Sequence, residues 1–151
     1  MIATTVTKEM SCSAEHAFDV MVRHHAENHP RWESEVLEVR QLDEPGLGAR
    51  SVMVRHEHGR TREVTNTCVE YVEDRRAAYE HDEPGMGFRI VFDLTPTGPT
   101  SCVLRVDVRM RPKGATRLMT PLLKLGIHRR SERITTRMCD VVIATPAYVA
   151  D

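Results

Sequence analysis

Residues 102–145 read CVLRVDVRMRPKGATRLMTPLLKLGIHRRSERITTRMCDVVIAT and contain two successive patterns with different periods. Between Cys102 and Met110 every second residue is apolar, and most of the residues between them are charged. This period of two is typical of a strand in an antiparallel sheet with one face in water. Pro112 and Gly114 then predict the end of that strand.

After Gly114 the period changes to three and four, which predicts one helix face about seven turns long. The positions on this face are Met119, Leu123, Ile127, Ser131, Ile134, Met138, Val141 and Thr145. Pro121 and Gly126 fall inside the predicted helix and cost roughly 3 and 1 kcal/mol in an unsupported helix interior. We therefore expect a late start or a kink near Pro121.

The N-terminal part of the chain predicts one strand and two short helices. Residues 2–8 alternate as a strand would. Ser13 is a suitable N-cap for the first helix, whose apolar residues recur at three and four positions. A turn at residues 24–28 precedes a second short helix, which leads into Pro30 and Trp32.

Five further segments have the composition of strands and are separated by turn signals. They span residues 36–42, 50–57, 61–72, 77–81 and 88–95, and His58-Gly59-Arg60 predicts a hairpin. The inward face of residues 63–72 stays open, because two alternating sets compete. The first set is Thr65, Thr67, Val69 and Tyr71, and the second is Val64, Asn66, Cys68 and Val72.

Composition limits the class of protein. A chain of 151 residues with 40% hydrophobic and 28% charged residues suits one globular domain. The net charge of −1 argues against nucleic-acid binding, because contact with phosphates needs a basic surface. No apolar run approaches the roughly 20 residues of a membrane span. Thr4, Thr5 and Thr7 interrupt any N-terminal signal pattern, so we expect a cytoplasmic protein.

The four cysteines lie far apart in the sequence and form no close pair. They are Cys12, Cys68, Cys102 and Cys139. Structural zinc sites usually draw their ligands from close pairs, so we expect buried, reduced thiols here. The chain has 18 Arg and 3 Lys, which indicates a bacterial genome of high GC content, since arginine codons are GC-rich.

Several short motifs, taken in order, resemble the START-like or helix-grip (SRPBCC) superfamily. They are SAEHAFD at 13–19, HPRW at 29–32, GLGAR at 46–50, RRAAY at 75–79 and the final helix. The superfamily includes bacterial polyketide cyclase/dehydrase-like proteins, lipid-transfer START domains and birch-pollen-allergen-like proteins. The resemblance implies an α+β helix-grip fold in a single START-like domain, residues 1–151. A curved antiparallel sheet of about seven strands would wrap around the long C-terminal helix, with two short helices after strand 1.

The same resemblance implies an apolar cavity between the sheet and the final helix, which would hold a lipid, a polyketide or a similar ligand. We expect the following residues to line it: Trp32, Val54, His56, Tyr79, Phe88, Ile90, Phe92, Leu104, Val106, Leu122, Leu123 and Ile127. The alternative is that these side chains simply fill a core. Small-molecule pockets are mostly apolar with a few polar groups, so both interpretations share many residues.

Two polar residues are candidates for chemistry inside such a cavity. His56 follows Val52 and Val54 on one strand face, where a neutral imidazole could orient a ligand or move a proton. Tyr79 shares a face with Ala77 and could donate its phenol to a ligand carbonyl. A rim histidine and a tyrosine without a chemical role are the alternatives, so the catalytic residues stay unknown.

No other motif indicates a reaction or a cofactor. His24, His25 and His29 have imidazoles near two glutamates, but their spacing matches no metal signature. His56-x-His58 lacks a third ligand. There is no Gly-x-Ser-x-Gly nucleophile motif and no glycine-rich phosphate loop. We expect no metal and no cofactor.

Three functions remain open at this point. The first is the binding, with possible transport, of a hydrophobic small molecule by a monomer or homodimer. The second is a polyketide cyclase/dehydrase-type enzyme, in which the cavity folds a reactive chain. The third is an interaction module that uses the sheet rim or a basic stripe on the last helix, formed by Arg129, Arg130, Arg133 and Arg137.

Overall fold

Within residues 1–149 the protein is an α+β structure in which one sheet and three α-helices follow the predicted order. The structure is a computed structural model and describes residues 1–149. Its elements are β1 (Ile2–Met10), α1 (Ala14–Phe18), a π-helical turn (Asp19–Arg23), α2 (His25–Trp32), β2 (Val36–Gln41), β3 (Arg50–Glu57), β4 (Arg60–Val72), β5 (Arg76–Glu83), β6 (Met86–Gly98), β7 (Ser101–Pro112), a 3₁₀ turn (Gly114–Met119) and α3 (Thr120–Ala144).

The seven strands form one antiparallel sheet with the order β1-β7-β6-β5-β4-β3-β2. The chain thus forms hairpins from β2 through β7, and β1 adds to the far edge beside β7. The helix-grip fold predicted from the sequence is confirmed. Ser13 caps α1 as predicted, because its Oγ accepts a hydrogen bond from the His16 N–H at 3.0 Å.

The face of β3 that points into the fold is the opposite of the one predicted. Ser51, Met53 and Arg55 are buried on the inner side, whereas Val54 is half-buried and His56 is exposed on the outer side. The prediction for Val54 and His56 was wrong, because it took the face that carries Val52 and Val54 to be the inner one. The inner face carries the buried Arg55, whose charge is balanced by nearby glutamate side chains.

The open question about β4 has a structural answer. Val64, Asn66 and Cys68 are buried on the inner face. A register shift between Cys68 and Glu70 then changes the phase, as a β-bulge does. After the bulge the Tyr71 ring reaches inward and meets Phe18 edge-on, with centroids 5.4 Å apart. Each of the two competing patterns is therefore correct for part of the strand.

The final helix begins late, as Pro121 predicted. A 3₁₀ turn covers Gly114–Met119, and Pro121 then lies in the first turn of α3, where its missing N–H costs no hydrogen bond. The residues of α3 that are buried against the fold are Ile127, Ser131, Thr135, Met138 and Val142. Across residues 1–149, no helix combines the length and the apolar character that crossing a membrane requires.

The main core lies between the N-terminal helical segment, the sheet and the second half of α3. Phe18, Met21, Leu104 and Met138 are its largest fully buried side chains. Burial of each such side chain contributes roughly 1.5–3 kcal/mol. Leu104, which was expected to line a cavity, instead belongs to this packed region, because it lies towards the α1 end of β7.

Candidate functional site: a cavity with an ionic end

A cavity of about 400 Å³ lies between the concave face of the sheet and α3. Its apolar wall includes Phe88, Ile90, Phe92, Val106, Val108, Met110, Leu122, Leu123, Ile127, Ile134 and Met138. Leu122 lines this space and is 67% exposed, so the cavity reaches solvent near the start of α3. A volume of this size lies within the range of small-molecule sites.

Nine of the twelve predicted lining residues line this cavity in the structure. They are Trp32, Tyr79, Phe88, Ile90, Phe92, Val106, Leu122, Leu123 and Ile127. Val54 and His56 lie on the outer face of β3, and the His56 imidazole contacts the Thr61 hydroxyl at 3.0 Å. Leu104 is part of the core. Whether the nine residues bind a ligand stays a prediction.

One wall of the cavity is built from aromatic and imidazole rings. His25, His29 and Trp32 project from α2 at three- and four-residue spacing, so they share one helix face. His25 stacks on Tyr79 of β5 with centroids 5.4 Å apart, and His29 stacks on Trp32 at 5.6 Å. Burial raises the pKa of the Tyr79 phenol far above its ordinary value, so the phenol stays protonated.

His25 has a fixed protonation state. Its Nδ1 lies 2.9 Å from the carbonyl oxygen of Met21, so Nδ1–H donates there and leaves Nε2 as an acceptor. Complete burial lowers the pKa of His25 to about 3, with His29 adding a smaller effect of the same sign. The imidazole is therefore neutral across the physiological range.

His29 and Glu33 form a pair at the end of α2. The His29 Nε2 lies 3.0 Å from Glu33 Oε1, and Arg55 Nη1 lies 2.9 Å from Glu33 Oε2. Burial would raise the pKa of Glu33, but the hydrogen bond from His29 and the charges of His29, Arg55 and Arg130 outweigh it and lower the pKa to about 2. Glu33 is thus an ionised carboxylate inside the fold.

Arg55 is the centre of a larger ionic cluster at this end of the cavity. Besides Glu33 it contacts Glu57 and also Glu35 at 3.4 Å, and its side chain is only 9% exposed. Arg130 crosses from α3 and pairs with Glu35, with Glu57 at 3.4 Å and with Glu33 at 3.7 Å. Arg130, which belongs to the predicted basic stripe, therefore connects α3 to this ion-pair network.

A second pair extends the same cluster towards the turn between β5 and β6. Arg62 Nη2 lies 2.8 Å from Glu83 Oε1 and 3.6 Å from a Glu57 oxygen. His81 Nε2 lies 3.5 Å from Glu83 Oε2, so the imidazole and the carboxylate face each other. His81, Arg55 and Arg62 together lower the pKa of Glu83 against the opposing effect of burial.

Most of the charged and polar side chains at this end were not predicted from the sequence. Those without any prediction as lining residues are Glu33, Arg55, Glu57, His81 and Glu83. Asn66 was named only in one of the two open patterns of β4, and Arg130 only in the basic stripe. One local signal was available, because His29 and Glu33 are four residues apart on a helix and therefore neighbours. Within residues 1–149 no three His, Cys, Asp or Glu side chains are grouped so that they could hold a metal ion.

The chain belongs to the family described as "Polyketide cyclase / dehydrase and lipid transport", which it matches over residues 1–141. No curated protein matches the sequence.

Three solved structures show the same fold at low identity. A START superfamily protein from Mycobacterium smegmatis is 17% identical with a TM-score of 0.72, covering 93% of this chain and 97% of that chain. A protein from Thermus thermophilus is 13% identical with a TM-score of 0.74, covering 94% and 97%. Norcoclaurine synthase from Thalictrum flavum, solved with dopamine and hydroxybenzaldehyde, is 15% identical with a TM-score of 0.70, covering 97% and 88%.

Proposed function

We propose that this protein binds a predominantly hydrophobic small molecule in the cavity between the sheet and α3. The observation that carries this proposal is the cavity of about 400 Å³, whose larger part is lined by aliphatic and aromatic side chains. The family description, which includes lipid transport, supports the same class of function. A lipid or a polyketide is the kind of ligand that this wall would accept.

The apolar wall contributes favourable free energy to the binding of an apolar ligand. A ligand with one aromatic group buries about 150–250 Å² in such a site. At roughly 25 cal/mol per Å² this contributes on the order of 5 kcal/mol before the entropic cost of binding is subtracted. The opening near Leu122, which is 67% exposed, gives the ligand a route into the site.

Native mass spectrometry of gently purified protein tests this proposal. We expect a mass above that of the chain alone, and a small molecule in the solvent extract after denaturation. The same spectrum distinguishes a monomer from a homodimer. The proposal would be overturned by a bare chain mass together with no binding when apolar probes such as naphthalene are added.

A polyketide cyclase/dehydrase-type enzyme is the second candidate, and the His29–Glu33 pair favours it. The ionised Glu33 carboxylate accepts from His29 Nε2–H, and within residues 1–149 His29 Nδ1 has no hydrogen-bond partner, so it is the ring nitrogen that could exchange a proton with a ligand. Because the reaction is unknown, turnover must be sought with the molecule recovered from the purified protein. His29→Asn should abolish turnover, and the outward-facing His56→Asn should not. Equal turnover in both variants would remove His29 from the reaction.

A further inference from the structure

The ionic end of the cavity contains more carboxylates than guanidinium groups. Glu33, Glu35, Glu57 and Glu83 supply four negative charges, and Arg55, Arg62 and Arg130 supply three positive charges. The imidazole of His25 is neutral because it is buried. The carboxylates of the cluster therefore outnumber its guanidinium groups by one.

Every guanidinium group of the cluster is already engaged by at least two carboxylates. Arg55 and Arg130 each contact Glu33, Glu35 and Glu57. The third, Arg62, contacts both Glu57 and Glu83. A ligand carboxylate would therefore meet guanidinium groups whose positive charge is already shared among two or three glutamates.

Several hydrogen-bonding atoms on the same lining residues are uncommitted. Within residues 1–149, the buried side-chain polar atoms that lack a partner are His29 Nδ1, Arg55 Nε, Asn66 Oδ1 and His81 Nε2. All four belong to residues that line the cavity. His25 adds Nε2, which is an acceptor because Nδ1–H is bound to Met21. The set includes acceptors, such as Asn66 Oδ1, and a donor, Arg55 Nε–H.

Buried polar atoms without partners cost free energy, so a ligand that satisfies them gains affinity. A hydroxyl group both donates one hydrogen bond and accepts others, which suits a site that offers both kinds of partner. A carboxylate only accepts, and it would bring a further negative charge beside the glutamates of a partly buried cluster.

We propose that the cavity selects an apolar molecule carrying an uncharged hydroxyl or phenol group and rejects the carboxylate of the same skeleton. This inference rests on the proposed small-molecule binding and names the class of ligand. The apolar body would lie along the Phe88–Ile90–Phe92 wall, and the hydroxyl would point to the ionic end beside His25, Asn66 and Arg55.

Equilibrium dialysis of the purified protein with three probes of one skeleton tests this selection. The probes are naphthalene, 2-naphthol and 2-naphthoate, compared at pH 7.5 and low ionic strength. We expect 2-naphthol to bind at least tenfold more tightly than 2-naphthoate and severalfold more tightly than naphthalene. Equal or tighter binding of 2-naphthoate would overturn the inference while leaving small-molecule binding intact. Absence of binding by all three probes would overturn both.

A charge variant with a matched control separates the cluster from the general charge of the protein. Glu83→Gln removes one negative charge from the cluster and should reduce the preference for 2-naphthol over 2-naphthoate by about threefold or more. Glu63→Gln makes the same change on the outer face of β4, where Glu63 pairs with Arg40. This control should leave the ratio unchanged. An equal shift in both variants would contradict a role for the cluster.

Discussion

Arg55 Nη1 lies 2.9 Å from Glu33 Oε2, and this ion pair joins the inner face of β3 to the residue that follows α2. Both side chains are nearly buried, with 9% and 12% of their surfaces exposed. The pair therefore helps to set the position of α2, and with it the rings of His25, His29 and Trp32, relative to the sheet. The cavity wall depends on a contact between two separate parts of the chain.

Removal of the Arg55 charge should destabilise the protein strongly. Arg55→Met leaves Glu33 and Glu57 buried with fewer cationic partners, and loss of one member of a buried ion pair costs about 3–5 kcal/mol. Urea unfolding followed by circular dichroism measures this loss. The double variant Arg55→Met/Glu33→Gln should lose less than the sum of the single variants, since the two side chains interact directly. Strict additivity would show that the pair is not coupled.

Acid should destabilise the fold through His25. Its folded-state pKa of about 3 lies below the ordinary value of 6.5, so only the unfolded chain takes up a proton between these values. The stabilisation is complete above about pH 6.5 and is lost progressively towards pH 3. Between pH 7.5 and 5.0 this group should contribute a loss of about 2 kcal/mol in the free energy of unfolding.

The His25→Gln variant should lack this contribution, so its stability should change less than that of the parent between the two pH values. Urea unfolding at pH 7.5 and 5.0 provides the comparison. His56→Gln is the matched control, because His56 is exposed on the outer face of β3. A pH dependence that is the same in the parent and in His25→Gln would refute the assignment.

Gly126→Ala should stabilise the protein. Gly126 lies inside α3, and a Cβ atom added there meets nothing within 4 Å. Replacing an interior helical glycine by alanine gains up to about 1 kcal/mol. Thermal unfolding should show a higher midpoint for this variant. Gly85→Ala is the contrasting change and should lower the midpoint, because Gly85 has φ +80° and its added Cβ would collide with Thr116.

Leu104 and Ile90 should respond differently to truncation. Leu104 is fully buried in the core, so Leu104→Ala should cost about 2–5 kcal/mol of stability. The affinity of the Leu104→Ala variant for 2-naphthol should stay within about twofold of that of the parent protein. Ile90 is half-buried and faces the cavity, so Ile90→Ala should weaken 2-naphthol binding severalfold at a smaller cost in stability. A larger loss of 2-naphthol affinity in Leu104→Ala than in Ile90→Ala would show that Leu104 belongs to the binding site.

The sheet and the long helix were predictable because their hydrophobic periods extend over many residues. The alternation in residues 102–110 fixes the inner face of β7, and the face of α3 is recognisable despite Pro121 and Gly126. Alternation identifies which residues of a strand face inward. It does not show whether an inward residue lies beside the packed core or beside the cavity. Leu104 and Val106 share a face of β7, yet only Val106 lines the cavity.

The ionic end of the cavity was not predictable from local patterns. Arg55 interrupts the apolar sequence of the inner face, and its partners Glu33, Glu35 and Glu57 offset the cost of its burial. Two of these partners are about twenty residues away in the sequence. A period-two pattern therefore favours the valine face of β3, which lies outward. In β4 a single bulge divides the strand between two phases, so no uniform pattern describes it.

Trp32 gives the protein a built-in optical probe of its own site. It is the single tryptophan of the chain, it is 2% exposed, and it lines the cavity beside His25 and His29. Intrinsic fluorescence excited at this indole thus arises from one position in the cavity wall. Occupancy of the cavity can be followed in unlabelled protein through the intensity and wavelength of this emission, without a dye or an engineered chromophore.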